Sequence, residues 1–242
     1  MNDISEVMAI ILAGGKGTRL RPLTAVFPKP LVPLGDRPIL EILLNRLAKF
    51  GFIKVTLCTG YLAEMIQLVC GDGSKFGLSI NYSREDKPLG TVGPLSLLND
   101  LSDPVIVMNG DLLTTLRFDM MLEFHEKQGA DITIAAFERD VKIDFGVIQT
   151  DGSGNFKGFQ EKPTFHFEVS MGVNVLTKQV LETIPKGKYM DMPDLISNVH
   201  QQGGKVVCYR EPGCFWLDIG RMDDYALAQK EFQKNRQMFL EL

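Results

Sequence analysis

The sequence lacks the cysteine and histidine patterns of small zinc-binding or disulfide-rich proteins. Its four cysteines are Cys58, Cys70, Cys208 and Cys214. None of them forms a Cys-x-x-Cys pair, and the three histidines show neither metal-ligand nor catalytic-triad spacing. These absences argue against a structural zinc site and a disulfide framework. We therefore expect reduced thiols and a cytoplasmic protein, with Cys58 and Cys208 buried as small apolar side chains.

The sequence also lacks an excess of one charge and any long apolar run. Lysine and arginine number 26 against 30 aspartates and glutamates, a net charge of −4, so no basic surface for nucleic acid is expected. The apolar run at residues 7–13 is far too short to span a bilayer. Residues 1–6 lack the basic segment of a signal peptide. We expect neither nucleic acid nor a membrane as a partner.

Short apolar runs alternate with amphipathic helical patterns over the first 129 residues. Strands are predicted at residues 7–12, 53–58, 78–83 and 105–108, and helices at residues 38–50, 62–69 and 118–127. This alternation favours an α/β fold with a mostly parallel sheet and helices on both faces. After Ala130 strand-like runs follow one another, with a hairpin turn at residues 151–155, which predicts a more antiparallel C-terminal half.

Glycines and an arginine directly follow the first predicted strand. Residues 12–19 read Leu-Ala-Gly-Gly-Lys-Gly-Thr-Arg. Glycines allow backbone N–H groups to approach phosphate closely, and an arginine can bind two phosphate oxygens. The spacing matches neither the Walker A loop nor the dinucleotide-binding fingerprint. Taken alone, the segment is equally compatible with a phosphate loop and with an ordinary glycine-rich turn.

Two carboxylates stand at or just after the ends of apolar runs. Asp111 follows Val-Ile-Val-Met-Asn-Gly, and Asp218 follows Phe-Trp-Leu. In parallel sheets the carboxyl ends of the strands bind ligands, and Mg²⁺ prefers oxygen ligands. Asp111 is therefore a candidate metal ligand, while the capping of a turn remains the alternative.

Longer motifs resemble the signature of the sugar-1-phosphate nucleotidyltransferases. Gly-Gly-x-Gly-Thr-Arg-Leu-x-Pro-Leu-Thr begins at residue 14, Pro-Lys-Pro-Leu at 28, Pro-Leu-Gly-Thr-x-Gly at 88, Glu-Lys-Pro at 161 and Trp-x-Asp-Ile-Gly at 216. The resemblance covers nearly the whole chain and implies a Rossmann-like, glycosyltransferase-A-like sheet in one domain, residues 1–242. It also implies that residues 7–129 bind a nucleotide and residues 130–242 a sugar phosphate.

The reaction that the resemblance implies is transfer of a nucleoside monophosphate from a nucleoside triphosphate to a sugar-1-phosphate, with release of pyrophosphate. The implied cofactor is Mg²⁺, held by Asp111 and Asp218. The implied catalytic cations are Arg19, Lys29 and Lys162. The implied nucleotide-binding residues are Leu12, Ala13, Gly14, Gly15, Gly17, Thr18, Arg19, Glu85, Pro88, Gly90 and Thr91. The implied sugar-phosphate-binding residues are Gly146, Glu161, Lys162, Gly172 and Asn174.

Glu85 is the residue from which we predict the nucleotide base that the chain binds. Its carboxylate offers only acceptors, which suits the two adjacent N–H donors of guanine, whereas relatives that use uracil or thymine often have glutamine near this place. The sequence therefore favours GTP and looks most like mannose-1-phosphate guanylyltransferases, with UTP, dTTP and CTP as alternatives. Met171 and Asn174 stand where the family often has alanine and tyrosine, which leaves the sugar open.

Two functions of other classes remain as alternatives. A glycosyltransferase on the same type of sheet would have no triphosphate for Arg19 and Lys29 to hold. A non-catalytic regulatory homologue that binds nucleotide sugars would have no need for both aspartates. The sequence also leaves open a homo-oligomer, and whether the chain is the catalytic part of a longer protein.

Overall fold

The computed structural model describes residues 3–240. The strands are β1 (Met8–Ala13), β2 (Pro33–Leu34), β3 (Arg37–Pro38), β4 (Lys54–Thr59), β5 (Ser79–Arg84), β6 (Val105–Asn109), β7 (Leu112–Thr114), β8 (Ile132–Lys142), β9 (Val147–Thr150), β10 (Phe156–Gln160), β11 (Thr164–Leu176), β12 (Val206–Tyr209) and β13 (Trp216–Asp218). The helices are α1 (Ile39–Lys49), α2 (Ala63–Cys70), α3 (Phe118–Gln128), α4 (Lys178–Glu182), α5 (Met192–Gln201), α6 (Met222–Lys234) and α7 (Arg236–Leu240).

Seven strands form one sheet in the order β12-β8-β11-β6-β1-β4-β5. β1 is parallel to β4 and β6, and β4 is parallel to β5. β11 is antiparallel to its neighbours β6 and β8, while β12 is parallel to β8. The predicted mixed, mostly parallel sheet is therefore confirmed. Because β1, β4, β5 and β6 run in the same direction, the loops that follow them meet at one edge, called the carboxyl edge below.

Helices cover both faces of this sheet, as predicted. α1, α2 and α3 pack on the face that carries Ile11 and Met108. α4 and α5 pack on the opposite face, which carries Ile10 and Val107. Successive strand residues point to opposite faces, so a strand covered on both sides is apolar throughout. This explains why β1 reads as an unbroken apolar run.

A third apolar cluster supports the segments that follow β1. It joins Leu20, Val32 and Ile219 to Phe232 of α6 and Phe239 of α7. Both phenyl rings are almost fully buried, and each such burial contributes about 1.5–3 kcal/mol. Helices α6 and α7 thus pack against the residues that flank the glycine-rich loop and support it.

The second half of the chain is more antiparallel, as predicted. β9 and β10 form a hairpin, closed by a turn in which the Asp151 amide donates to the Asn155 carbonyl oxygen at 3.0 Å. β13 pairs antiparallel with β7. β11 lies between β6 and β8, so both predicted halves contribute strands to one sheet.

Two local expectations differ from the structure, and one helix was not expected. Cys58 is buried, but Cys208 is exposed, because it lies on the outermost strand β12, which is covered incompletely. The apolar pattern at residues 224–238 predicts one terminal helix, but the structure divides this segment into α6 and α7 at Asn235, whose side-chain amide donates to the Glu231 carboxylate at 3.1 Å. Asparagine has a lower helix propensity than most residues, and the backbone of Asn235 leaves helical geometry with a φ of −123°. Helix α4 was not predicted. Within residues 3–240 no helix is long and apolar enough to span a bilayer.

Candidate active site

Two aspartates from distant parts of the sequence meet at the carboxyl edge. Asp111 directly precedes β7 and Asp218 ends β13. The two strands pair so that Asp218 lies opposite Leu112, the residue after Asp111. The Ile219 amide donates to the Asp111 carbonyl oxygen at 3.1 Å. The indole Nε1 of Trp216 donates to the carbonyl oxygen of β11 residue 171 at 2.8 Å, which anchors β13 from its other side.

Lys29 is the cation between these carboxylates. Its ammonium group forms an ion pair with Asp111 and lies 3.9 Å from Oδ1 of Asp218. Lys29 begins a 3₁₀ turn in which Pro30 is buried. Pro30 packs against Gly110, where an added Cβ would lie 3.3 Å from the proline Cγ. Packing of the neighbouring proline therefore holds Lys29 beside Asp111.

The glycine-rich loop packs against Lys29. Gly17 has a φ of +59°, and a Cβ there would lie 3.0 Å from Cβ of Lys29. A larger residue would therefore be strained and would push the loop away. The Thr24 hydroxyl donates to the Gly17 carbonyl oxygen at 2.7 Å and closes the loop. Gly15 is exposed, with no heavy atom within 4 Å of an added Cβ, so its backbone is open to a ligand.

Arg19 completes a group of four charged residues. A Cβ added at Gly220 would lie 3.6 Å from Nη2 of Arg19 and 3.5 Å from Oδ2 of Asp218, so the two side chains flank the same glycine. We call Arg19, Lys29, Asp111 and Asp218 the charged cluster. Three of the four lie in the first half of the chain, and Asp218 comes from the second.

The Asp218 carboxylate is half-buried and lies close to the carboxylate of Asp111. Burial, followed by the charge of Asp111, raises the pKa of Asp218, and the charges of Lys29 and Arg19 oppose this rise. Oδ1 of Asp218 is buried and accepts no hydrogen bond from residues 3–240. A buried acceptor without a partner is costly unless a ligand, an ion or water satisfies it.

The residues of the charged cluster fit a magnesium ion. Asp111 and Asp218 supply carboxylate oxygens, and the unpartnered Oδ1 leaves one of them free for a cation. Among residues 3–240 there is no group of three or more histidine, cysteine, aspartate or glutamate side chains that could hold a metal. A cation here would need further oxygens from substrate phosphates and water, which is how Mg²⁺ is usually bound.

A cleft of about 490 Å³ opens beside Asp218. Five of the predicted site residues line it: Leu12, Thr91, Gly172, Asn174 and Asp218. Asn174 is only 3% exposed, and its Oδ1 also has no hydrogen-bond partner in the described part of the chain. Gly172 has a φ of +72°, and a Cβ there would lie 2.6 Å from Nδ2 of Asn109. The cleft therefore offers a buried acceptor close to the charged cluster.

Glu85 lies at the same edge but has structural contacts of its own. Its Oε2 accepts a hydrogen bond from the Leu89 amide at 2.9 Å. Its Oε1 lies beside two glycines, 2.6 Å from a Cβ added at Gly14 and 3.0 Å from one at Gly60. Burial and the charge of Glu85 raise the pKa of the Cys58 thiol to about 12, which leaves this cysteine uncharged and unsuited to act as a nucleophile.

The loop that contains the predicted nucleotide-binding residues Gly90 and Thr91 packs against a segment that carries no sequence motif. Gly90 has a φ of +81°, and a Cβ there would lie 2.4 Å from the carbonyl oxygen of Met190. Thr91 accepts a hydrogen bond from the Met192 amide at 2.7 Å. Its hydroxyl thus caps the start of α5, whereas the 3₁₀ turn at Gly93–Leu97 has no side-chain cap. Pro88 is exposed at the start of this loop.

Ala13 ends β1 and Thr18 follows the glycine-rich loop, whereas three predicted sugar-phosphate residues lie beside the β9–β10 hairpin. Gly146, Glu161 and Lys162 are not among the residues that line the cleft. Gly146 packs under the ring of Phe159. A Cβ added at Gly146 would lie 2.1 Å from Cζ of that ring. Lys162 is exposed and has a φ of +44°, a left-handed conformation that is uncommon and costly for lysine. Such strain is found most often at functional positions.

The main part of the cleft missed by sequence reasoning is helix α5. Met192, Pro193, Ile196 and Ser197 line the cleft opposite the strand ends. The sequence predicts a helix only over residues 194–202, after Met192 and Pro193, and nothing in that pattern marks a ligand site. Only the packing of α5 against Val107 and its neighbours shows which side of the helix faces the cleft.

Comparisons with known proteins identify the family of the chain. A family model described as nucleotidyl transferase matches residues 8–235. The UTP–glucose-1-phosphate uridylyltransferase of Synechocystis is 33% identical over 238 residues, which cover 90% of this chain and 61% of that protein. The mannose-1-phosphate guanylyltransferase of Mycobacterium tuberculosis is 34% identical over 228 residues, which cover 91% of this chain and 63% of that protein. The chain thus spans less than two thirds of the length of these relatives.

Solved structures share the fold. HddC from Yersinia pseudotuberculosis, complexed with GMP-PN, has a TM-score of 0.73 at 24% identity, with 93% of this chain and 99% of that chain covered. A putative glucose-1-phosphate thymidylyltransferase from Bacillus anthracis, in complex with sucrose, has a TM-score of 0.73 at 23% identity. The match covers 98% of this chain and 96% of that chain. At these identities the likeness supports the Rossmann-like architecture.

Proposed function

The chain belongs to the nucleotidyl transferase family, and from this premise we propose that it joins a nucleoside triphosphate, GTP by preference, to a sugar-1-phosphate and releases pyrophosphate. The observation that carries the proposal is the charged cluster beside the cleft. Two cations and two carboxylates meet there, and one buried carboxylate oxygen accepts no hydrogen bond from residues 3–240. Such a site suits a reaction between two phosphate groups.

The proposed reaction is a direct displacement. An oxygen of the sugar phosphate attacks the α-phosphorus of the triphosphate, and the bond from that phosphorus to the bridging oxygen of pyrophosphate breaks. Arg19 and Lys29 neutralise the phosphate charges, and the open backbone at Gly15 approaches the triphosphate. Mg²⁺ held by Asp111 and Asp218 would supply further charge neutralisation at the phosphate oxygens. No covalent protein intermediate is required.

The two substrates are assigned to the two halves of the chain. Residues 7–129 would hold the nucleotide through the glycine-rich loop and Glu85. Residues 130–242 would hold the sugar phosphate through Gly172, Asn174 and the base of the β9–β10 hairpin. Asn174 supports this division, because its buried, unpartnered carbonyl oxygen can accept a hydrogen bond from a sugar donor group. Asp218 is the exception, because it belongs to the second half of the chain but lies beside Asp111 of the first half.

The proposal is tested by pyrophosphate release from a grid of substrates with Mg²⁺. GTP, UTP, dTTP, CTP and ATP are each combined with mannose-, glucose- and glucosamine-1-phosphate. Release with GTP would support the full proposal, and release with another triphosphate would keep the reaction but change the base. Sugar transfer without pyrophosphate would indicate a glycosyltransferase. Tight binding of nucleotide sugars without turnover in any combination would indicate a regulatory homologue.

Replacing Glu85 with Gln is expected to lower kcat/KM for GTP by about tenfold or more. Guanine would lose an acceptor for one of its two N–H donors, a loss of about 1.5–3 kcal/mol for a charged partner. Glutamine keeps one oxygen for the Leu89 amide, so the loop should stay in place. Activity with UTP should not fall, and steady-state kinetics with both triphosphates measures the difference.

The matched control for this variant is Glu64→Gln, on an exposed pair with Arg84. It should leave both activities unchanged. An equal loss with GTP and UTP in Glu85→Gln would show that Glu85 acts only through its contact with the Leu89 amide.

Replacing Lys162 with Ala is expected to raise the KM for the sugar-1-phosphate by about 10–100-fold, the equivalent of one charge-assisted hydrogen bond. The KM for the triphosphate should change little. Lys157→Ala is the control, because Lys157 is an exposed lysine on the same hairpin. A rise confined to the KM of the triphosphate would reverse the assignment of this lysine.

A further inference from the structure

Asp191 forms a polar link between the loop Leu89–Gly93 and helix α5. Its Oδ1 accepts hydrogen bonds from the Thr91 amide at 2.9 Å and the Thr91 hydroxyl at 3.3 Å. The same hydroxyl oxygen accepts from the Met192 amide at 2.7 Å. The other carboxylate oxygen, Oδ2, accepts from the Tyr189 hydroxyl at 2.7 Å. The hydrogen bond from Tyr189, with those from Thr91, holds the pKa of Asp191 below its ordinary value.

Backbone contacts bring the loop and the segment before α5 into unusually close approach. The Met190 amide donates to the Leu89 carbonyl oxygen at 2.9 Å, and the Met190 carbonyl oxygen accepts from the Val92 and Gly93 amides at 3.1 and 3.2 Å. A Cβ at Gly93 would lie 2.5 Å from the carbonyl oxygen of residue 188, so a side chain there cannot be accommodated. The two glycines of the Gly-Thr-x-Gly motif are therefore explained by this packing.

The link joins two segments that line the cleft. Thr91 lines the cleft and belongs to the loop that would carry the nucleotide base. Met192, the residue after Asp191, lines the cleft together with Ile196 of α5. Asp191 itself does not line the cleft. A group in this position can set the distance between the two walls without touching either substrate.

We propose that Asp191 is a positioning residue that locks the loop Leu89–Gly93 to the start of α5 and thereby couples nucleotide binding to sugar-phosphate binding. The proposal rests on the proposed function, because it assigns the two walls to the two substrates. Asp191 is also the N-cap residue of α5, in a capping box with Asp194, and a cap acting alone would stabilise α5 without affecting the loop. The acceptor oxygen of Asp191, rather than its charge, maintains the link.

The first experiment compares Asp191→Ala with Asp191→Asn. The alanine variant loses the acceptor for Thr91, so kcat/KM for both substrates is expected to fall about tenfold, with the KM of each substrate raised. Asparagine keeps an oxygen at the same place and should restore most of the activity.

Tyr189→Phe and Asp194→Asn are the matched controls. Tyr189 contacts only the other oxygen of Asp191, and the Asp194 side chain accepts from the Asp191 amide at 3.4 Å within the first turn of α5. Both variants disturb the helix start but leave the link to Thr91 intact. Their kcat/KM values should stay within about twofold of the unmodified chain.

Hydrogen exchange of the ligand-free chain separates this proposal from the proposed function, because it requires no turnover. In Asp191→Ala the amides of residues 89–93 and of residues 192–195 should exchange faster together, and in Asp191→Asn neither segment should change. Faster exchange in α5 alone, a KM change for one substrate alone, or equal losses in the alanine and asparagine variants would overturn the lock. If the unmodified chain released no pyrophosphate with any combination of substrates, that result would overturn the proposed function instead.

Discussion

Replacing Asp111 with Asn is expected to reduce turnover by about 10³-fold while the chain remains folded. A metal ion contributes several kcal/mol to a transition state of this kind, and each 1.36 kcal/mol corresponds to a factor of ten. Asp111 is 8% exposed and is one of only two carboxylates in the charged cluster. Pyrophosphate release at saturating substrates measures the loss, and circular dichroism checks the fold.

Asp119→Asn is the control for this variant. Asp119 lies in the first turn of α3 and borders a cavity with Val7 and Pro104, at the opposite edge of the sheet. Its turnover should be unchanged. Asp218→Asn should resemble Asp111→Asn, and the double variant should add little, because residues that act as a unit are not additive. Near-normal activity of Asp111→Asn in excess Mg²⁺ would contradict the metal assignment.

Replacing Lys29 with Met is expected to lower turnover by about 10²–10³-fold, the loss typical of removing one preorganised donor to a reacting phosphate or oxyanion. The substitution keeps much of the side-chain volume but removes the ammonium group. Without it, the Asp111 carboxylate is left almost buried and unpaired. The free energy of unfolding should therefore fall by about 1–3 kcal/mol in metal-free buffer, as measured by urea denaturation.

The double variant Lys29→Met with Asp111→Asn separates these two effects. Neutralising both partners should recover most of the stability, because a neutral amide costs less to bury than an unpaired charge, yet turnover should stay low. Lys54→Met is the control, since Lys54 pairs with Glu6 on the exposed surface at the opposite edge of the sheet. A Lys29→Met variant with normal turnover would remove Lys29 from the proposed reaction.

Much of the fold could be predicted from local patterns. The strand at residues 7–12 and the helix at 38–50 agree with β1 and α1 to within one or two residues. Buried strands and amphipathic helices leave a periodic apolar pattern in the sequence itself, so they can be recognised without knowledge of their neighbours. The weaker predictions concern an edge and an end of the fold. Cys208 lies on an outermost strand, and α6 and α7 are divided at Asn235.

The candidate site was only partly predictable. Motifs identified Arg19, Lys29, Asp111 and Asp218, and the structure brings these four together. Motifs also marked Glu161 and Lys162, which the structure places outside the cleft lining. Helix α5 and Asp191 carry no sequence motif, because their contribution depends on the loop against which they pack.

By itself the sequence determined the elements, the family and the four charged residues, because each of these depends on residues that are close together along the chain. Only the tertiary structure decided that Asp218 lies beside Asp111, since this follows from the pairing of β13 with β7. It also decided that Asp191 lies against Thr91 and that α5 forms a wall of the cleft. Contacts between distant segments are selected by the packing of the whole chain, and no local pattern contains that information.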